Sequence, residues 1–409
     1  MEHRIVVLGA GYTGAVVAGR LAKRLHRADV SITLVNPEPD FVERVRLHQL
    51  AAGQELRPRP FEEMFAGTGV ELRLARVTAV DADAKTVTLA AAPTAAPAAA
   101  REARPETELA YDTLVYALGS GWHDGGVRGA AEHAHEVSSR PGARRLRDRL
   151  AALEAGGSVT VVGGGLTGLE AATEFAEARP DLDVHLAARG VLGDWLSEKG
   201  RAHLRGVVDG LGITVHEHAS VEAVEAGRVT TEDGRTLPAD VTVWTTGFAV
   251  HPIARASTLE HTANGQIVVD STMRSVSHPD VYAVGDAAMA MGPGDKPLRM
   301  SCASGIPMAW QAADALAARL TGAQVPGIGI RYAQQCISLG RTNGLIQFVT
   351  ADDRAVERAL TGRTAARYKE MICKGAAWSV ANPTLGLPAR RRRVAQRATP
   401  DRARTAAAA

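Results

Sequence analysis

The chain is poor in cysteine, in aromatic residues and in net charge. Three cysteines, Cys302, Cys336 and Cys373, are spread over the final third of 409 residues. They show no metal-ligand spacing, so no metal site is expected. A sparse, odd count fits a reducing, cytoplasmic setting better than secretion. Aromatic residues make up only 4%, too few for a base-stacking surface. The formal net charge is +2, which gives no global attraction to nucleic acid, and no nucleic-acid partner is expected. Long uncharged apolar runs are also missing, so no membrane-spanning helix is expected. The opening MEHRIVVLGAGYTGAVVAGR has the basic start and apolar stretch of a secretory leader. Its glycine spacing and the KRLHR that follows fit a buried strand and helix better.

What is present is enough for two or three domains, with 45% hydrophobic and 22% charged residues. The stretch IVVLGAGYTG at 5–14 reads as strand, glycine turn and helix, with SITLV at 31–35 as the returning strand. The spacing is Gly9-x-Gly11-x-x-Gly14. The first glycine allows the tight turn, the second lets a pyrophosphate approach the backbone, and the third lets helix pack on strand. The free N–H groups at the helix start then hold phosphate. At the end of the second strand Asn36 replaces the usual acid; its amide oxygen accepts from a ribose hydroxyl without charge. The same grammar returns in VTVVGGGLTGLE at 159–170, with Gly163, Gly165 and Gly168, and DVHLAAR at 183–189 as the returning strand. Two such turns in one chain imply two dinucleotides.

Between and after these units the pattern changes. VTAVDADAKTVTL at 77–89 reads as a hairpin, and the Ala/Pro-rich stretch after it as a surface loop. A helix is expected from about Pro307 to Leu320. Two strands joined by RTNG are expected over 333–349, then a helix over 353–373 and a disordered basic tail.

At this point the chain resembles the FAD-dependent pyridine nucleotide oxidoreductases of the glutathione-reductase structural class. YDTLVYALGS at 111–120, VWTTGF at 243–248 and HPDVYAVGDAA at 278–288 resemble three further motifs of that class, in order. The resemblance implies an α/β fold of two Rossmann-like dinucleotide-binding domains, the second inserted in the first, with a C-terminal α+β domain. An FAD domain is expected over 1–150 and 267–325, an NAD(P)H domain over 151–266, a C-terminal domain over 326–388 and the tail over 389–409. FAD is expected at Gly9, Gly11, Gly14, Asn36, Arg44, Val77, Ala117, Gly119, Gly285 and Asp286, with Arg46 an equal candidate beside Arg44. NAD(P)H is expected at Gly163, Gly165, Gly168, Arg189 and Gly247. Arg189 follows Ala188 where an NADH enzyme places an acid; a guanidinium suits a 2′-phosphate, so NADPH is favoured over NADH.

Disulfide reductases of this class need cysteines early in the FAD domain, and none precedes Cys302. The remaining route is direct, hydride passing from nicotinamide to flavin and on to an acceptor. GGGLTGLE resembles the GGGxTGxE of type II NADH:quinone oxidoreductases and apoptosis-inducing-factor-like flavoproteins. That implies Glu170 as a proton relay during quinone reduction. Gln311 is the residue left of the quinone-site motif of those enzymes, so a quinone or quinone-like acceptor is expected there. His48 reads as structural and the three cysteines as packing residues. The segment 365–380 before RRRR reads either as a peripheral membrane contact, on the inner face, or as a homodimer or packing helix. Two other functions fit the same motifs: a reductase donating single electrons to a small iron–sulfur protein, and a biosynthetic tailoring oxidoreductase.

Overall fold

The computed structural model describes residues 2–92, 106–327 and 329–395. Most of the Ala/Pro-rich stretch and the last residues of the expected tail lie outside them. The buried β-branched run His3–Leu8 is the third strand in from one edge of a seven-stranded sheet. It pairs in parallel with Val30–Asn36 on one side and Thr113–Tyr116 on the other. Val281–Ala283 closes the near edge. The long strand Val70–Asp81 extends the sheet the other way and turns back as the hairpin with Thr86–Ala91. Strands of this kind, buried on both faces, need helices on both faces to cover them. The helices Tyr12–Arg24 and Cys302–Thr321 supply one such cover, packing on each other.

A second, five-stranded parallel sheet is built around Ser158–Val162, flanked by Asp183–Ala187 and Val241–Trp244. One outer strand is Ala134–Glu136, paired with Val241–Trp244, and the other is Thr214–His216. Val137, Ala143, Leu146 and Leu150 lie in the second core, while Ala254 and Leu259 lie in the first. Both borders expected for the inserted unit, at 150/151 and at 266/267, therefore move toward the N-terminus. A mixed sheet with a parallel core and a second, wholly parallel sheet in one α/β chain match the doubly wound architecture expected.

The C-terminal piece is a three-stranded antiparallel sheet followed by a helix. The strands Gln334–Leu339 and Asn343–Val349 correspond to the expected pair. A third, Ala355–Thr361, replaces the first part of the expected helix, and the helix runs instead over Gly362–Ala381. The local sequence AVERAL favours helix, but Asp353 at φ 70° closes a tight hairpin and Gly362 at φ 72° ends the strand. Pairing with the preceding strand overrides propensity. The helix expected at Pro307 starts earlier, at Cys302, which leaves Pro307 inside it, where the ring removes the N–H that would bond to the Ala303 carbonyl.

The arginines at 391–393 are tied down, against the expected free tail. Arg391 Nε donates to the Ala22 carbonyl at 3.0 Å, and the Arg392 N–H to that of Arg24 at 2.8 Å. Arg393 pairs with Asp29 at 3.1 Å. The last carbonyls of a helix lack internal partners and carry negative partial charge, which arginines satisfy well.

Candidate functional site

The two glycine turns have the same construction. A Cβ on Gly14 would sit 1.8 Å from the Gly9 carbonyl oxygen, and a Cβ on Gly168 equally 1.8 Å from that of Gly163. The third glycine of each turn thus has no room for a side chain. At Gly11 and at Gly165, by contrast, no atom lies within 4 Å of the Cβ position. The space over each helix N-terminus is open, and the first-turn N–H groups face it. This fits a dinucleotide pyrophosphate at both places.

Around the first turn the expected residues converge. A Cβ on Gly9 would meet the Ala117 oxygen at 2.5 Å, and one on Gly285 would meet Thr13 at 3.0 Å. Gly119 and Gly285 have φ of 68° and 71°, backbone that favours glycine. Ser120 Oγ donates to Asp286 at 2.6 Å, and Arg44 Nη1 donates to the Ser120 carbonyl at 2.7 Å. Arg44 thus lies 3.9 Å from Asp286 and stacks over the Phe248 ring. Arg46 goes elsewhere, pairing with Glu43 at 3.0 Å and Glu370 at 2.9 Å. Asn36 accepts the Ala10 N–H at 3.0 Å and donates to Glu38, so its amide already braces the turn. One lone pair of that oxygen remains for a ribose. Val77 is buried in its strand beside a bulge.

Around the second turn, Thr245 Oγ1 donates to the Val162 carbonyl at 2.8 Å and closes on Gly163 and Gly168. Gly247 follows at φ 76°. Ala188 packs against Gly164, which brings the exposed Arg189 to the rim of this turn. Its side chain forms no ion pair among the described residues. The nearby Glu217 is already held by Arg205 and by the Leu192 N–H at 2.7 Å.

A buried polar cluster lies where the second-turn helix, Leu166–Ala178, meets the C-terminal piece. Glu170 Oε1 lies 2.9 Å from Lys369 Nζ and accepts the Ser338 N–H at 3.0 Å. Lys369 also donates to the Cys336 carbonyl at 3.0 Å. Burial pushes the Glu170 carboxyl up, but Lys369, His48 and the Ser338 N–H outweigh it and hold it below its ordinary value. Burial likewise opposes the Lys369 charge, yet the Glu170 carboxylate keeps its pKa well above the ordinary lysine value. The pair is ionised at neutral pH. His48, close enough to feel both charges, is pushed down to about 4 by burial and is neutral. Its Nε2 has no hydrogen-bond partner among the described residues. All three thiols interact electrostatically with Lys369 as well, and burial raises each of them, Cys336 to about 11. They are protonated, and none has the character of a reactive thiolate.

Nothing in the sequence pairs Lys369 with Glu170, because the two lie on different elements far apart in the chain, and His48, which reads there as structural, lies within electrostatic reach of both. Glu174, one turn beyond Glu170, carried no motif. It is buried beneath the Arg341 turn, and burial pushes it up to about 7. Gln311 is also buried; its amide nitrogen donates to the Pro326 carbonyl at 2.8 Å, so it braces the connection after its own helix.

Comparison with known proteins gives the context. A family model for pyridine nucleotide-disulphide oxidoreductases matches residues 3–317. An NADH dehydrogenase-like protein of Mycobacterium tuberculosis is 29% identical over 330 residues, covering 75% of this chain and 78% of that protein. A demethylphylloquinone reductase of Synechocystis is 28% identical over 301 residues, covering 70% and 72%. Among solved structures, NDH2 of Plasmodium falciparum in complex with NADH superposes with a TM-score of 0.75 at 14% identity, covering 95% of this chain and 99% of that one. That likeness speaks to the fold.

Proposed function

Because the chain belongs to the pyridine nucleotide-disulphide oxidoreductase family, we propose that it passes two electrons from NAD(P)H, through FAD, to a quinone or quinone-like acceptor. The observation that carries this reading is the buried Glu170–Lys369 pair. A disulfide relay has no cysteines to use before Cys302. A quinone instead needs charge stabilisation and protons as it becomes a quinol, and a buried ammonium beside a carboxylate supplies both. The names of the curated relatives point the same way.

The residues divide the work. Gly9, Gly11, Gly14, Ala117, Gly119, Gly285, Asp286, Arg44, Asn36 and Val77 form the FAD cradle, and bound there FAD supplies the two-electron carrier. Gly163, Gly165, Gly168 and Gly247 form the NAD(P)H cradle. Arg189 favours NADPH, since a guanidinium pairs with a 2′-phosphate and no carboxylate at position 188 repels it. Lys369 holds Glu170 ionised and in place.

The C-terminal helix supports a peripheral membrane contact. Met371, Ile372 and Trp378 are exposed on it, as are Leu385 and Leu387 just after it. Arg367 and Lys374 lie among them. Apolar side chains among cations suit an anionic lipid surface. No helix among the described residues is long and apolar enough to cross a membrane.

The test is anaerobic double mixing. The purified flavoprotein is reduced with one equivalent of NADPH, then mixed with a water-soluble naphthoquinone while the flavin absorbance is followed. Bleaching followed by rapid recovery is expected. Bleaching without recovery would remove the quinone and move the reading to an iron–sulfur protein or a specialised substrate as acceptor.

A further inference from the structure

We propose that Glu174 is the inlet through which the acceptor site draws its proton from solvent, with His48 and the Glu170–Lys369 pair at the inner end of the route. The proposal rests on the quinone reading above. In that reaction NAD(P)H, one proton and a quinone give NAD(P)⁺ and a quinol. The hydride brings both electrons and one proton. The second proton comes from water in every turnover, and it must cross a packed interior to reach the Glu170 side.

The second-turn helix presents three glutamates along one face toward the C-terminal sheet: Glu170, Glu174 and Glu177, spaced four and three apart. Such neighbours lie about 5–6 Å apart at Cβ. At the outer end, Glu177 accepts the backbone N–H of Arg341, whose side chain is half exposed. Arg341 also donates to Gln54 Oε1 and lies 3.6 Å from Glu174. Gln54 Nε2 in turn donates to Glu174 Oε1. Solvent therefore reaches Glu174 through one layer made by Arg341, Gln54 and Glu177. At the inner end, the helix Leu47–Ala51 packs on the same face and carries His48.

Two atoms in this stretch have spare hydrogen-bonding capacity. Glu174 Oε2 and His48 Nε2 are both buried with no partner among the described residues. Leaving a buried polar atom unpaired is normally destabilising, so a group with only a packing role would be better replaced by an apolar one. The charges facing Glu174 are Arg341 from the hairpin turn, which favours the carboxylate, and Glu177 from its own helix, which opposes it. Burial is larger than either, and the group changes protonation near neutral pH. It touches no substrate and acts through Glu170, Lys369 and His48.

The experiment measures reoxidation of the prereduced holoprotein by naphthoquinone between pH 5.5 and 9, alongside an infrared pH titration of the resting protein. For the wild type, reoxidation is expected to slow through a single inflection near pH 7, and a protonated-carboxyl band to vanish over the same range. Glu174→Gln is expected to remove both and to slow reoxidation about tenfold at pH 7, leaving flavin reduction by NADPH unchanged. Arg341→Gln is expected to move inflection and band together to higher pH, because a cation that favoured the carboxylate has gone. A purely structural Glu174 would not give a coupled shift. Wild-type rates and inflection in Glu174→Gln, or no titrating band in the wild type, would overturn the proposal. A wild type that no quinone reoxidises would sink the functional reading instead, and the infrared titration would still decide whether Glu174 exchanges its proton.

Discussion

Replacing Lys369 by methionine leaves an unbranched apolar side chain one atom shorter, without the charge and without the hydrogen bond to the Cys336 carbonyl. Glu170 is then left buried, with the Ser338 N–H as its remaining hydrogen-bond donor. Removing one partner of a buried ion pair costs about 3–5 kcal/mol, because the survivor has lost water and gained nothing. The pH dependence follows from the directions of the shifts. In the wild type Glu170 is held below 4.5 and Lys369 above 10.5. A depressed carboxyl adds stability that is present above its unfolded pKa and lost as pH falls. A raised lysine adds stability that is present below its unfolded pKa and lost as pH rises. The pair therefore contributes evenly between about pH 5 and 10. In Lys369→Met burial is unopposed by the ammonium and lifts the Glu170 carboxyl. The variant should then be close to wild type near pH 5, where protonating Glu170 costs little, and should lose its 3–5 kcal/mol as pH rises toward 8. Adding Glu170→Gln should restore most of the loss, giving a coupling energy of about 2–3 kcal/mol. Urea unfolding at pH 5 and pH 8, followed by tryptophan fluorescence, measures all four corners of the cycle. A Lys369→Met cost below about 1 kcal/mol at both pH values would show that the pair is solvated, and the argument for a dry acceptor site would fail with it.

Three further outcomes are expected. Arg189→Ala should raise the KM for NADPH about tenfold or more while leaving that for NADH nearly unchanged, since one charge-assisted contact is worth about 1.5–3 kcal/mol; equal effects on both would refute the 2′-phosphate assignment. Gly168→Ala places a methyl 1.8 Å from the Gly163 oxygen, so the purified protein should remain yellow yet fail to bleach with either nicotinamide, and normal bleaching would contradict the cradle. Wild-type protein should co-sediment with vesicles rich in anionic lipid, and Met371→Ser with Trp378→Ser should weaken this; sedimentation of a dimer that the same changes dissociate, without vesicle binding, would assign the face to a second copy of the chain.

What could be read from the chain alone divides by physical cause. The glycine turns, the strand-end motifs and the two-sheet architecture were legible because backbone geometry imposes local residue types. Gly14 and Gly168 must be glycine for a reason that lies within five residues of each. The strand Ala355–Thr361 was not legible, because a local helix preference lost to pairing that depends on the whole C-terminal sheet. The arginines at 391–393 looked like a solvated run because the carbonyls and the carboxylate they satisfy belong to the first helix and the turn after it. The polar cluster shows the same division most sharply. Glu170 was found through its glycine motif, but its chemistry is set by Lys369, His48 and Ser338, each from a different element. The identical residue type at Glu174, one turn on, has the opposite titration behaviour. One carboxylate meets a buried ammonium and stays ionised; the other meets a half-exposed guanidinium and an amide, and burial wins. Two glutamates on one helical face thus titrate in opposite directions because of what the C-terminal piece lays over them, and that difference is written in contacts and not in motifs.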